Sequence, residues 1–211
     1  MSPDSRMGSD IYLVSAISRD EERHEAVVEC CGRHRITILE CDRMDLQEGK
    51  VLSEDQFDRL IHAEQWLSCI QKALTHLDYG DLSRRRMIEK LRRVFPADLS
   101  TEVADYLVEK GYIDDLSLAR RYAENYYEVR GYGPLKIKSE LFGKGFDSQV
   151  IGKVITPYVR MDHSERITNL LLKKYDEENL KDPAVAKKAS AWLSRYGYTW
   201  SDISQVLDAF Q

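Results

Sequence analysis

A chain of 211 residues, 43% hydrophobic and 32% charged, is long enough to bury one or two ordinary cores and too apolar for a disordered polymer. No apolar run approaches the ~18 residues of a membrane span, and MSPDSRMGSD has neither the basic region nor the apolar core of a signal peptide, so a cytoplasmic location is expected. The net charge of −5 argues against coating nucleic acid through bulk electrostatics, and the acidity sits in front: through His62 there are 8 Lys and Arg against 14 Asp and Glu, and beyond it 23 against 22.

Met1 to Ser9 has no periodicity and reads as a loose tail. Ile11 to Ile17 reads as a first strand. His24 to Cys30 and Arg35 to Cys41, rich in Val and Ile, flank Cys31-Gly32-Arg33-His34 as a hairpin. A small antiparallel sheet of three strands needs a helix over one face. Met44 to Gly49 is expected as a short helix or turn. Ser53 with Gln56 makes a capping box for a helix that lays Phe57, Leu60 and Ile61 on the sheet. A separate, longer helix is expected from about Ala63, with Trp66, Leu67, Ile70, Leu74 and Leu77 on one side and Tyr79-Gly80 closing it. The cysteines, Cys30, Cys31, Cys41 and Cys69, form no CxxC pair and read as reduced thiols. Cys31 and His34 lack companions for a tetrahedral zinc site, so no metal is expected.

LSRRRMIEKLRRVF follows, with Ser83 as N-cap and Met87, Leu91 and Val94 on one face. Arg84, Arg85, Arg86, Lys90, Arg92 and Arg93 surround that face, opposed only by Glu89, in the most concentrated positive charge of the chain. Two readings stand: a solvated face paired with neighbouring acids, or recognition of phosphate or carboxylate by the guanidinium fork. Pro96-Ala97-Asp98 reads as a loop, and Ser100 or Thr101 as the cap of a helix through Val103, Tyr106 and Leu107 to Gly111.

Gly111 to Phe146 holds two complete helix punctuations in a row. Asp114 or Asp115 caps a helix whose apolar stripe is Leu116, Ala119, Tyr122, Ala123, Tyr126 and Tyr127, with Arg120 and Arg121 on the opposite face. Gly131 stops it, and Gly133-Pro134 opens a short helix carrying Ile137 and Leu141, which Lys144-Gly145 ends. Asp147 then caps a helix with Val150, Ile151, Val154 and Ile155 that Pro157 is expected to end. Asp162 with Glu165, Asp182-Pro183 and Thr199 with Asp202 open three more helices.

The chain also matches itself. Leu141 to Phe146, Ile151 and Val154-Ile155 align without gaps on Leu193 to Tyr198, Ile203 and Val206-Leu207, a shift of 52 residues that brings Gly145 onto Gly197. Leu91, Val103 and Tyr106-Leu107 follow the same scheme with two residues inserted. The expected fold is mainly α: three tandem three-helix repeats in an elongated curved array behind a small N-terminal antiparallel β-sheet. The domains are then 1–62 as a strand-rich extension, 63–113, 114–161 and 162–211 as repeats.

The run Asp114-Asp115, Ala119-Arg120, Gly131-Tyr132-Gly133-Pro134, Lys136-Ile137, Glu140-Leu141 and Lys144-Gly145 resembles the central repeat of the RecX family of bacterial regulators of the RecA recombinase. The likeness extends over most of the chain, with departures: Leu82 stands where a basic residue is usual, Arg86 where Glu is usual, and Tyr196 where Arg is usual. The resemblance implies a non-enzymatic, monomeric regulator that needs no cofactor or membrane. Such a protein binds RecA or its filament on DNA and modulates the recombinase, in the inhibitory sense, during DNA repair and the SOS response. The alternative is a helical-repeat module acting on DNA directly, and weak direct DNA contact fits both.

No phosphate loop, HExxH or G-x-S-x-G is present, and capping explains Asp114-Asp115 more simply than acid–base work. Tyr122, Tyr126, Tyr127 and Tyr132 could stack on bases, but most lie on the core face, so packing is the favoured reading. The surface expected to meet the partner is Arg84, Arg85, Lys90, Arg92 and Arg93 with Arg120, Arg121, Arg130, Lys136 and Lys144.

Overall fold

The computed structural model describes residues 11–210, so the expected loose tail lies outside the described residues. The described chain is mainly helical, with short N-terminal strands and eleven helices. β1 (Tyr12–Leu13) pairs antiparallel with β5 (Val51–Leu52), while β2 (Ala16–Asp20), β3 (Glu25–Glu29) and β4 (Arg33–Thr37) form a separate antiparallel meander. The single strand expected over Ile11 to Ile17 is therefore two. The chain changes partners at Val14-Ser15: Val14 exchanges hydrogen bonds with Lys50 and Gly49, whereas the Ser15 N–H donates to the Glu29 carbonyl at 2.8 Å.

The hairpin forms, but its second strand ends four residues early. Thr37 accepts a hydrogen bond from the Glu40 N–H and caps α1 (Ile38–Arg43), so Ile38 to Cys41 are helical. A local cap here overrides the β-preference of an Ile-rich run. Ser53 and Gln56 close both halves of the capping box at the start of α2 (Glu54–Asp78). The expected break near Ala63 is absent, and the boundary at 62/63 falls inside this 25-residue helix. Nothing between Ile61 and Trp66 stops a helix; Ala, Glu and Gln there are strong helix formers. Leu60 joins Val14, Ala26, Val28 and Ile36 in one core, and Tyr12 stacks on Phe57 at 4.2 Å.

Two compact units divide the chain, one running through Tyr79 with Leu91–Val103, the other taking Gly80–Lys90 and Ala104 onward. α3 (Arg84–Leu91) buries Met87 and Leu91 completely, but Val94 lies beyond its end and is exposed. α4 (Ala97–Glu109) begins at Ala97, not at Ser100 or Thr101. Those two hydroxyls donate instead to the Pro96 and Ala97 carbonyls inside the helix.

In the second unit, α5 (Asp115–Glu128), α6 (Pro134–Gly143) and α7 (Ser148–Val159) enclose a core of Ala119, Ala123, Ile137, Leu141, Phe146 and Ile151. Pro157 does not end α7, which runs two residues further. Pro157 and Lys153 are both exposed, so the hydrogen bond the proline removes is lost on the solvent side. α8 (Ser164–Leu172), a single unexpected turn α9 (Glu177–Leu180), α10 (Pro183–Tyr196) and α11 (Trp200–Asp208) close a further core around Ile167, Leu171, Leu193 and Tyr198. Asp162 accepts from the Ser164 N–H at 2.9 Å, although the cap position itself is His163.

The self-match reappears in burial. Leu141 and Leu193 are both fully buried, Phe146 and Tyr198 nearly so, and Ile151 and Ile203 likewise. Gly145 (φ +88°) and Gly197 (φ +92°) both take the left-handed conformation. At Gly197 the end of α10 meets the start of α6. Gly133 N–H donates to the Tyr196 carbonyl at 2.7 Å and Leu135 N–H to the Gly197 carbonyl at 3.1 Å. Orphan donors of one helix are thus satisfied by orphan acceptors of another. The Tyr198 hydroxyl adds a bond to the Gly131 carbonyl, and burial pushes that phenol well above the usual tyrosine range.

Candidate partner-binding surface

A groove of about 470 Å³ opens in the second unit between the start of α3, the middle of α5 and the end of α6. Gly145 permits it by letting α6 stop against α3: a Cβ there would sit 3.1 Å from Ser83 Oγ. The Ser83 hydroxyl donates to the Lys144 carbonyl at 2.9 Å, and Arg86 donates to the Gly143 carbonyl at 2.6 Å. Two terminal carbonyls of α6 are satisfied by α3 in this way.

The two aspartates expected to cap α5 divide the work. Asp114 accepts from the Ser117 N–H at 2.9 Å and caps α5. Asp115 accepts from the Arg84 N–H at 2.8 Å and so caps α3. Burial raises the Asp115 pKa above the usual carboxylate value, while the Arg84 N–H pulls it the other way.

Several of the expected contact residues are already paired. Arg84 binds Asp105, which lowers the Asp105 pKa; Arg85 and Arg86 both bind Glu89 and lower its pKa; Arg121 binds Asp81. Three carboxylates thus face four guanidinium groups, so most of this positive charge is balanced within the chain. Lys90, Arg92, Arg93 and Arg120 make no ion pair among the described residues. Lys90 lines the groove, whereas Arg92 and Arg93 belong to the other compact unit. Lys144 stands 4.8 Å above the Tyr122 ring, Arg130 5.4 Å above Tyr126, and Lys136 5.9 Å above Tyr132 while pairing with Glu140 at 3.0 Å.

Sequence reasoning passed over Arg86, Arg166 and Lys174. Arg86 belongs to the basic cluster of α3 but not to the expected contact set, yet it lines the groove. Arg166 lies 3.9 Å above the Tyr127 ring and also binds Glu128. Lys174 lies 4.4 Å above Trp192. Periodicity could not have found Arg166 and Lys174, because each ring belongs to a different element from its cation.

Comparison with known proteins now bears on this arrangement. A family model described as RecX, second three-helix domain, matches residues 114–155, which contain α5, α6 and most of α7. Regulatory protein RecX of Xanthomonas oryzae pv. oryzae is 30% identical over 135 residues, spanning 64% of this chain and 83% of that protein. The chain belongs to the RecX family. RecX of Bacillus licheniformis is 25% identical over 201 residues, covering 93% of this chain and 76% of the relative. A crystal structure of a regulatory protein RecX superposes with a TM-score of 0.76 at 18% identity, over 94% of this chain and all of that one. A RecX from Lactobacillus salivarius gives 0.63 at 22% identity, over 70% of this chain and 97% of the other. These two establish a common fold. Among the described residues no helix is long and apolar enough to cross a membrane.

Proposed function

We propose that this RecX-family regulator binds the RecA recombinase assembled on DNA and inhibits its activity. The observation that carries the reading is the family match across the groove-forming helices α5 and α6, together with the similarity to RecX over nearly the whole chain. Charge supports a partner other than naked DNA. At −5 overall the protein's field opposes phosphates at long range. Linked helical units, however, spread weak contacts over neighbouring protomers, and each contact raises the effective concentration of the next. Lys90, Arg92, Arg93, Arg120, Arg130 and Lys144 are the cations of the expected set best suited to meet an acidic partner, since none of them makes an ion pair among the described residues.

Binding to recombinase-coated DNA is expected to exceed binding to bare DNA by at least about tenfold, or ~1.4 kcal/mol. Co-sedimentation with RecA filaments on single-stranded DNA tests this, alongside the recombinase's rate of ATP hydrolysis. The protein should pellet with the filaments and slow hydrolysis. Failure to pellet, or an unchanged hydrolysis rate at saturating protein, rejects the reading.

A further inference from the structure

A continuous chain of ring contacts runs through the second unit. Tyr122 meets Tyr126 with centroids 6.0 Å apart, Tyr126 meets Tyr132 at 5.9 Å, and Tyr132 meets Tyr196 at 5.7 Å. Tyr196 then meets Trp192 at 4.7 Å, and Trp192 meets Tyr175 at 6.5 Å. The rings come from α5, the turn before α6, α10 and the turn after α8, so only the tertiary fold joins them. Cations stand over five of these six rings: Lys144 over Tyr122, Arg130 over Tyr126, Lys136 over Tyr132, and Lys174 over both Trp192 and Tyr175. Lys136 shares its charge with Glu140, but Lys144, Arg130 and Lys174 are exposed and make no ion pair among the described residues.

We infer that this row is a track for the sugar-phosphate backbone of a single DNA strand. A cation over a ring is held in place without being neutralised, so its remaining donors stay available to an anion. Holding it there also removes part of the ordering cost that a free lysine or arginine meets on binding. A cation takes one face of Tyr122, Tyr126, Tyr132 and Trp192, which makes the contact there one with the backbone, indifferent to sequence. Tyrosine hydroxyls can add neutral donors to phosphate oxygens. The cations are strung out along the row of rings, an order that suits a linear polyanion better than a compact acidic patch on a protein. In the cell this contact deepens the filament reading, on which its setting rests: the strand would be the one the recombinase carries. The contact itself is a property of this chain alone.

The test uses the full chain and a fluorescein-labelled oligothymidylate of about 20 nucleotides, followed by anisotropy across a salt series. Three phosphate contacts on a single strand, from Arg130, Lys144 and Lys174, predict a slope of about −2 for log affinity against log salt. Replacing Arg130, Lys144 and Lys174 together by Gln should lower affinity at least about tenfold at low salt and bring the slope near zero. Lys144→Arg with Lys174→Arg should retain binding. A control with Lys153, Lys187 and Lys188 changed to Gln removes the same charge elsewhere and should leave both readouts nearly unchanged; circular dichroism checks that every variant folds. Equal losses in the row variant and the control would reduce the effect to net charge and overturn the proposal. Absence of wild-type binding at low salt overturns it too. So does a row variant that loses filaments but keeps the bare strand, since the row would then face an acidic protein surface. If bare-strand binding follows the row while co-sedimentation with RecA fails, this inference stands and the filament reading falls.

Discussion

Replacing Gly197 by alanine probes the place where α10 ends against the start of α6. Gly197 has φ +92°, and a side chain in the left-handed region costs roughly 1–2 kcal/mol. The larger penalty is steric. An added Cβ would lie 2.2 Å from the Lys136 backbone nitrogen and 2.5 Å from its Cβ, and no rotamer change relieves contact with a backbone. The start of α6 must withdraw, which breaks the Gly133–Tyr196 and Leu135–Gly197 hydrogen bonds. Stranding such buried groups costs about 1–3 kcal/mol each. The total is roughly 3–8 kcal/mol, and at about 2–4 °C per kcal/mol for a chain of this size the melting temperature should fall on the order of 10 °C or more. Gly111→Ala is the control: φ is +77°, and nothing lies within 4 Å of the added carbon. It carries the backbone term alone, about 1–2 kcal/mol, or a few degrees. Thermal melts by circular dichroism give the two numbers, and hydrogen exchange at the Gly133 and Leu135 amides should quicken only in the Gly197 variant. Equal drops in the two variants would refute the argument from close approach.

Asp115→Asn should leave stability at neutral pH unchanged or raised, because the amide oxygen keeps the bond to Arg84 while the buried charge disappears. The folded pKa of Asp115 is raised, so the unfolded state loses its proton first and wild-type stability falls as pH rises from about 3.9; the advantage of the Asn variant should vanish below that pH in urea titrations. Asp115→Ala, which removes the acceptor, should instead destabilise at every pH. Ser83→Ala should cost about 1–2 kcal/mol in the same titrations, since it removes the donor from the part-buried Lys144 carbonyl and uncaps Arg86; a loss within ±0.5 kcal/mol would contradict that role. Of the four thiols only Cys31 is exposed, and burial pushes those of Cys30 and Cys41 up and that of Cys69 up to about 11. A thiol reagent at about pH 8 should therefore titrate one group in the native protein and all four after unfolding.

Elements punctuated by local chemistry were legible without coordinates. The caps at Ser53, Asp114, Asp147 and Thr199 and the glycine stops at 111, 131, 145 and 197 stand where their side chains or their freedom at positive φ predict. Errors arose where a choice depended on a distant partner. The first strand splits because Lys50 and Glu29 compete for adjacent residues, and Asp115 was read as a local cap although it serves the helix 31 positions earlier. The expected break near Ala63 divides two apolar runs that a single helix carries, since the residues there have no reason to leave it.

The candidate surface divides in the same manner. The amino-acid order by itself determined the repeat, its apolar positions and the number of basic residues near α3 and α5, because periodicity and composition are local quantities. Only the tertiary structure decided which cations remain available. Arg84 and Arg121 each pair with a carboxylate and Arg85 and Arg86 share that of Glu89, while Arg130, Lys144 and Lys174 rest on rings that keep their charge intact. Whether a charge is paired depends on distances of a few ångströms between side chains that can be tens of residues apart, and Coulomb energy follows those distances rather than sequence order.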